Sequence, residues 1–143
     1  MVTGMALVDA IREERTEPPS GIRTLGLDAT HRWLRSVEPG HVVLDWAVDD
    51  AYLNLEGAVL CSWMSALGDQ ALFFAASTVC GEGEGTRMAE FGVRLLENIT
   101  AGTVAIEARI VRRVGDRLFG ECSFTVGDDV AALMTATIEV VPA

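Results

Sequence analysis

The sequence predicts an α+β domain in which an antiparallel sheet carries one long helix on one of its faces. Three observations predict it. Ser62 to Thr78 holds no Pro and is apolar around most of a helical circumference, so it must be buried on most sides. Apolar residues recur at every second position in one segment before this stretch and in four after it, the period of half-buried strands. The chain has 143 residues, with no internal repeat and no long linker, which is enough for one core.

Each element follows in order. Residues 5–15, MALVDAIREER, read as a short amphipathic helix with Leu7, Val8 and Ile11 on one face, inside an extension over residues 1–20. Glu17-Pro18-Pro19-Ser20-Gly21 ends it. Thr30 to Val37 is a candidate first strand, and Glu38-Pro39-Gly40 a turn. From His41 the period is two, with Val42, Leu44, Trp46 and Val48 on one face. Asp49 to Gly57 is a loop. Ser62 is the expected N-cap of the long helix, which at 1.5 Å per residue is about 25 Å long. Cys80 to Gly85 is a connector. Its Gly81-Glu82-Gly83-Glu84-Gly85 imitates a phosphate loop, but no Lys follows and two glutamates repel phosphate, so a flexible link is expected. Four strands then follow as a meander, led by Ala89-Phe91-Val93-Leu95, Val104-Ile106-Ala108-Ile110, Leu118-Cys122-Phe124-Val126 and Val130-Ala132-Met134-Ala136-Ile138-Val140. Gly102, Gly115-Asp116 and Gly127-Asp128-Asp129 mark hairpin turns. The alternation breaks over Val111 to Arg113, which predicts a bulge.

The bulk composition excludes several function classes. All eleven basic residues are Arg, against 21 acidic ones, for a net charge of −10. Half the residues are hydrophobic, too many for a disordered chain. The acidic balance argues against nucleic acid and against a polybasic membrane surface. Gly57 to Gly81 is weakly charged but carries Asp69 and Gln70, and is not a membrane span. Residues 1–20 lack the pattern of a secretory signal. Cys61, Cys80 and Cys122 are an odd count without CxxC spacing, which opposes a disulfide framework or structural zinc. A reducing cytoplasm is the expected compartment. His31 and His41 have no metal-ligand companions and read as surface or sheet residues.

Asp69 is the one charged residue between Cys61 and Gly81. A carboxylate on a mostly buried helix is costly unless hydrogen-bonded or functional, and burial raises its pKa toward that of a useful general base. The plainer alternative places it on the helix's one exposed stripe, or holds it with Gln70 or a hydroxyl. Cys61, near the helix start, could be a nucleophile of lowered pKa, against the simpler reading of a small buried apolar residue. Trp63, Met64, Phe73 and Phe74 suit a pocket, an interface or plain core equally.

The stretch Asn54-Leu55-Glu56-Gly57-Ala58-Val59-Leu60-Cys61-Ser62 resembles the signature of the hotdog-fold acyl-CoA thioesterases of the phenylacetate-pathway type. That signature runs Asn-x-x-Gly-x-Val-His-Gly-Gly, with an acid nine residues after the His. Asn54, Gly57, Val59 and Asp69 match in register. Leu60-Cys61-Ser62 replaces His-Gly-Gly, and Arg94-Leu95-Leu96-Glu97 resembles a downstream Phe-Leu-Arg-Pro-like run. The similarity covers about residues 38–141. It implies a curved sheet wrapped around the central helix, edge-to-edge homodimers, and a site at the seam, with further pairing into a homotetramer left open.

The resemblance also implies roles. Asp69 would be the base for water, or the nucleophile, in hydrolysis of an acyl thioester. Asn54 would orient the water or the carbonyl, and the amides of Cys61 and Ser62 would hold the oxyanion. Gly57, Leu60, Trp63 and Ser65 would line the substrate site. Coenzyme A enters as part of the substrate, and no metal or other cofactor is implied. Its phosphates suit Arg, and Arg94, Arg112 and Arg113 are the candidates, which requires some of the eleven Arg to gather locally. The alternative is a non-catalytic hotdog module that binds an acyl thioester or another apolar ligand; a dehydratase of this fold ranks last, because no His lies near Asn54–Asp69.

Overall fold

A computed structural model describes residues 4–13 and 33–143. Helix α1 spans Gly4–Arg12, β1 Leu34–Glu38, β2 His41–Ala47, a 3-10 turn Asp50–Tyr52, and helix α2 Cys61–Ser77. Strands β3 Glu84–Leu95, β4 Thr103–Val114, β5 Arg117–Val126 and β6 Asp129–Pro142 follow. The strands form one antiparallel sheet in the order β1-β2-β4-β5-β6-β3. The expected α+β architecture is the one found. The break at Glu17–Gly21, the start of the first strand at Thr30 and the reading of His31 lie outside the described residues.

Alternation builds the sheet's inner face. Val42, Leu44 and Trp46 of β2, Val104, Ile106 and Ala108 of β4, and Leu118, Cys122 and Phe124 of β5 are buried against α2. Ala132, Met134, Ala136 and Ile138 of β6 complete it. The helix presses so closely that a Cβ on Gly68 would come 2.4 Å from Met134 Sδ and 3.1 Å from Phe124 Cζ. A glycine inside a helix costs about 1 kcal/mol relative to alanine, and this contact is what requires it. The far end of α2 is fastened by Thr78, whose hydroxyl donates to the Ala75 carbonyl at 2.6 Å and accepts the Gly40 N–H at 2.7 Å.

Four expectations change. The meander is β4-β5-β6 only; β3 pairs with β6 on the far edge, so Gly102 is not a hairpin turn. Its carbonyl instead accepts the Val48 N–H at 2.9 Å. Strand β3 begins at Glu84, and a register shift between Met88 and Glu90 sets Ala89 aside, so Met88 takes the inward position. The Gly81–Gly85 segment is fastened rather than flexible. Both Glu84 carboxylate oxygens accept from Arg113, at 3.0 and 3.2 Å, and one also accepts the Gly81 N–H at 2.7 Å. Lastly, α2 starts at Cys61 with Leu60 as N-cap and no side-chain cap, so Ser62 lies within the first turn and caps nothing. The bulge expected near Val111 is present, as a shift between Ile110 and Arg112.

Candidate functional site

Helix α2 is not buried all round. Ser62, Asp69 and the half-buried Ser65, Ala66, Gln70 and Phe73 follow one another at helical spacing along a single open stripe. Asp69 therefore occupies the exposed stripe. The stripe looks toward the edge strand, and the two enclose a groove of about 340 Å³ lined by Asp69, Gln70, Phe73, Thr86, Met88 and Ile138. The apolar walls withdraw water from the carboxylate, and this desolvation pushes the Asp69 pKa up from its ordinary 3.8. No hydrogen bond or ion pair ties that carboxylate to another described residue, Gln70 included.

The groove continues into uncovered apolar surface. Phe91, Val93 and Leu95 of β3 face the helix side, paired with the inward-facing Ala136, Met134 and Ala132. Phe91 is nevertheless 48% exposed and Leu95 46%. Among the described residues no strand lies beyond β3, and none pairs with its outer backbone edge.

The second cluster lies at the start of α2. Leu60 donates its N–H to the Tyr52 carbonyl at 3.1 Å, and its own carbonyl accepts from Trp63 N at 3.0 Å and Met64 N at 3.1 Å. The N–H groups of Cys61 and Ser62 are left with no acceptor among the described residues, the usual state of a helix N-terminus and a favourable place for negative charge. Cys61 is exposed, not buried as its simpler reading expected. The Ser65 hydroxyl is spent on the Cys61 carbonyl at 3.0 Å. Trp63 stacks on Tyr52 with centroids 4.5 Å apart, and Tyr52 packs on Trp46 at 5.3 Å. The Trp63 Nε1–H is buried without an acceptor. Met64 and Phe74 belong to the core, whereas Phe73 lines the groove.

Asn54 shapes the loop before the helix. Its Oδ1 accepts the N–H of Glu56 at 2.9 Å and of Ala58 at 3.1 Å, closing a turn in which Gly57 has φ +78°. Its Nδ2 has no hydrogen-bond partner among the described residues. Asn54→Asp keeps the acceptor and removes that donor, whereas Asn54→Ala removes both. We expect the Ala variant to lose about 1–2 kcal/mol in chemical denaturation and the Asp variant to keep its stability. Activity should fall in both if Nδ2 serves the substrate.

The described arginines do not gather at the groove. Arg113 is held by Glu84, Arg87 by Glu139, Arg109 by Glu107 at 3.1 Å and Arg35 by Asp45 at 2.9 Å. Arg94 and Arg112 lie on the sheet face opposite α2, since they pair with the outward Leu133 and Phe119. His41 is a sheet residue, 2.8 Å from the Glu107 carboxylate. Among the described residues no cluster of three His, Cys, Asp or Glu could hold a metal, and no helix is long and apolar enough to cross a membrane. Gln70, Thr86, Met88 and Ile138 were missed as groove residues by sequence reasoning. The sequence suggests Gln70 only as a partner for Asp69. Thr86 and Met88 join through the early start of β3 and its register shift, and Ile138 through the non-local β3–β6 pairing.

Neither a family model nor a curated protein sequence matches the chain. Solved structures do. A phenylacetic acid degradation-related protein of Ralstonia eutropha JMP134 is 21% identical, with TM-score 0.83 over 92% of this chain and 98% of its own. A thioesterase family protein of Silicibacter pomeroyi is 22% identical, with TM-score 0.79 over 95% and 99%. A Streptococcus mutans UA159 protein bound to acetyl CoA is 23% identical, with TM-score 0.70 over 75% and 86%. The fold of this chain is the hotdog fold.

Proposed function

We propose that this chain is an acyl-CoA thioesterase that works as a homodimer. The observation that carries the reading is the unpaired, partly desolvated Asp69 carboxylate in a groove whose apolar floor runs out to an open strand edge. Asp69 takes a proton from water as the water attacks the thioester carbonyl carbon. The free amides of Cys61 and Ser62 hold the resulting oxyanion. The C–S bond then breaks, the sulfur takes the proton from Asp69, and a carboxylic acid and a free thiol leave.

One chain cannot do this alone. Asp69 lies eight residues after Cys61, about 12 Å along the same helix at 1.5 Å per residue. A water on the carboxylate and an oxyanion on the amides must share one carbonyl, so the two come from different copies. Pairing β3 with β3 of a second copy satisfies the open edge, covers Phe91 and Leu95, and brings the second copy's helix start and Asn54 loop toward Asp69. The resemblance of the Asn54–Asp69 stretch supports the reaction, and the acetyl CoA held by a protein of the same fold supports the substrate class.

The pH dependence tests the role of Asp69. A base must be deprotonated, and desolvation raises its pKa above 3.8, so kcat/KM falls on the acid side with a midpoint above that value. A profile flat through this range, or one unchanged in Asp69→Asn, would remove the assignment. A second reading, a non-catalytic module for an acyl thioester, is favoured by one observation: among the described residues no Arg lines the groove of its own chain. It predicts that acyl-CoA raises the melting temperature while no acyl-CoA in a chain-length panel releases free thiol.

A further inference from the structure

The groove beside Asp69 has two ends. One runs out past Phe91 to Leu95, where the apolar surface is uncovered. The other lies where α2 stops and β3 begins, because the short connector 78–83 turns the chain back between Ser77 and Glu84. Phe73 on the helix and Thr86 on the strand are the lining residues nearest this end in sequence. Glu84 stands two residues before Thr86 on the same inner face of β3, since positions 84, 86 and 88 alternate inward ahead of the register shift. Arg113 is on that inner face too, because its cross-strand partner is the buried Leu118, which pairs in turn with Ile138. Strands β5 and β6 lie between β4 and β3, a separation of about 14 Å in a flat sheet. The sheet curls enough for Arg113 to reach across both and donate to both Glu84 carboxylate oxygens, at 3.0 and 3.2 Å. The Arg113 Nε–H is fixed on the Gly115 carbonyl at 2.9 Å. On the connector, Glu84 accepts the Gly81 N–H at 2.7 Å, and the Gly83 carbonyl accepts the Ala143 N–H at 2.8 Å.

We propose that the Glu84–Arg113 ion pair is the inner stop of the groove and sets the longest acyl group that the site accepts. The inference rests on the thioesterase reading and adds a specificity-determining pair to it. Phe73, Met88 and Ile138 give an acyl chain apolar walls. A chain that grows past Thr86 meets a guanidinium and a carboxylate within two strand residues, or about 7 Å. To go further, its methylenes must strip water from both charged groups and offer no hydrogen bond in return, which is costly. The connector does not step aside, because Gly81 and Gly83 are both tied by hydrogen bonds. Neither Glu84 nor Arg113 is bonded to Asp69, so the pair governs which acyl group fits and not the attack of water. The two side chains are 32% and 38% exposed, and an ion pair this open to water adds little to stability, so variants of it keep the fold.

The test is kcat/KM over straight-chain acyl-CoAs of graded length, in the wild type and in two double variants. Glu84→Ala combined with Arg113→Ala removes both charges and shortens both side chains. It should raise kcat/KM for chains just beyond the wild-type limit, relative to short ones, by about tenfold or more, the size of effect that one methylene has in an apolar pocket. Glu84→Arg combined with Arg113→Glu rebuilds the pair with its signs exchanged and should return the limit to the wild-type length. A purely structural role lowers all lengths together and leaves their ratio unmoved, so an unmoved ratio overturns the stop. A limit that lengthens in the alanine variant but does not return in the exchanged one also overturns the ion pair as its cause. A parallel series of S-alkyl-CoA thioethers, which cannot be hydrolysed, reads the same limit as a rise in melting temperature. If no protein releases thiol, the hydrolase reading falls and the thioethers decide. A stabilising length that increases in the alanine variant then supports the stop, and an unchanged one, or no stabilisation at any length, overturns it.

Discussion

Asp69→Asn lowers the release of free thiol from acyl-CoA by about 10²–10⁴-fold, the range that a positioned general base contributes. The assay is free-thiol detection over a panel of acyl-CoAs, which reads activity and chain preference together. Unchanged turnover would remove Asp69 from the reaction. Stability moves the other way. Desolvation raises the pKa of Asp69 in the folded chain above 3.8, so the folded state holds this proton more tightly than the unfolded state. Its contribution to stability is therefore lost as pH rises from 3.8 through the raised value, and at neutral pH the charged form burdens the fold. Asn carries no such charge. The variant should melt no lower than wild type at pH 7, and the difference between the two should vanish at acid pH. A variant that is inactive and also unfolded would not separate chemistry from structure, whereas this pattern does.

Two adjacent phenylalanines give the second large contrast. Phe74 is fully buried, 5.6 Å by ring centroid from Trp33 and 5.6 Å from Phe73. Phe74→Ala leaves a void between α2 and the rest of the core and costs about 3–5 kcal/mol, much of the stability of a domain this size. Phe73 lies one helical step away on the open stripe and lines the groove. Phe73→Ala should cost no more than about 1–2 kcal/mol, for its partial burial, and should instead change which acyl groups are turned over. Denaturant midpoints measure the first effect and the acyl-CoA panel the second. Equal losses of stability in the two variants would mean that Phe73 is core and not groove.

Much of the molecule is local and therefore readable from the chain. Val42, Leu44 and Trp46 declare their face by alternation alone, and seventeen residues without Pro declare α2. The helix boundary shifted because Leu60, rather than a hydroxyl residue, occupies the N-cap, which no side-chain preference signals. Asp69 was visible as a lone charge, but its surroundings were not. Those surroundings come from Thr86 and Met88 on β3 and Ile138 on β6, joined by a pairing between strands that are not neighbours in sequence. A register shift at Ala89 then decides which β3 side chains point inward. Nor could the sequence reveal that Oδ1 of Asn54 is already committed to two amides, or that Arg113 is held by Glu84.

The far-edge position of β3 also sets an order in time. Each neighbouring pair in β4-β5-β6 closes through a tight turn, but β3 must wait for β6, whose partners follow it by 37 residues at Leu95–Ala132 and 58 at Glu84–Pro142. Such distant pairings are slow to form, because the loop must close before the contacts repay it. Until β6 is in place Asp69 has no wall opposite, and Met88, Phe91 and Leu95 are held by no strand. The groove thus takes shape late as the chain folds, and during synthesis it cannot exist before the final strand has emerged.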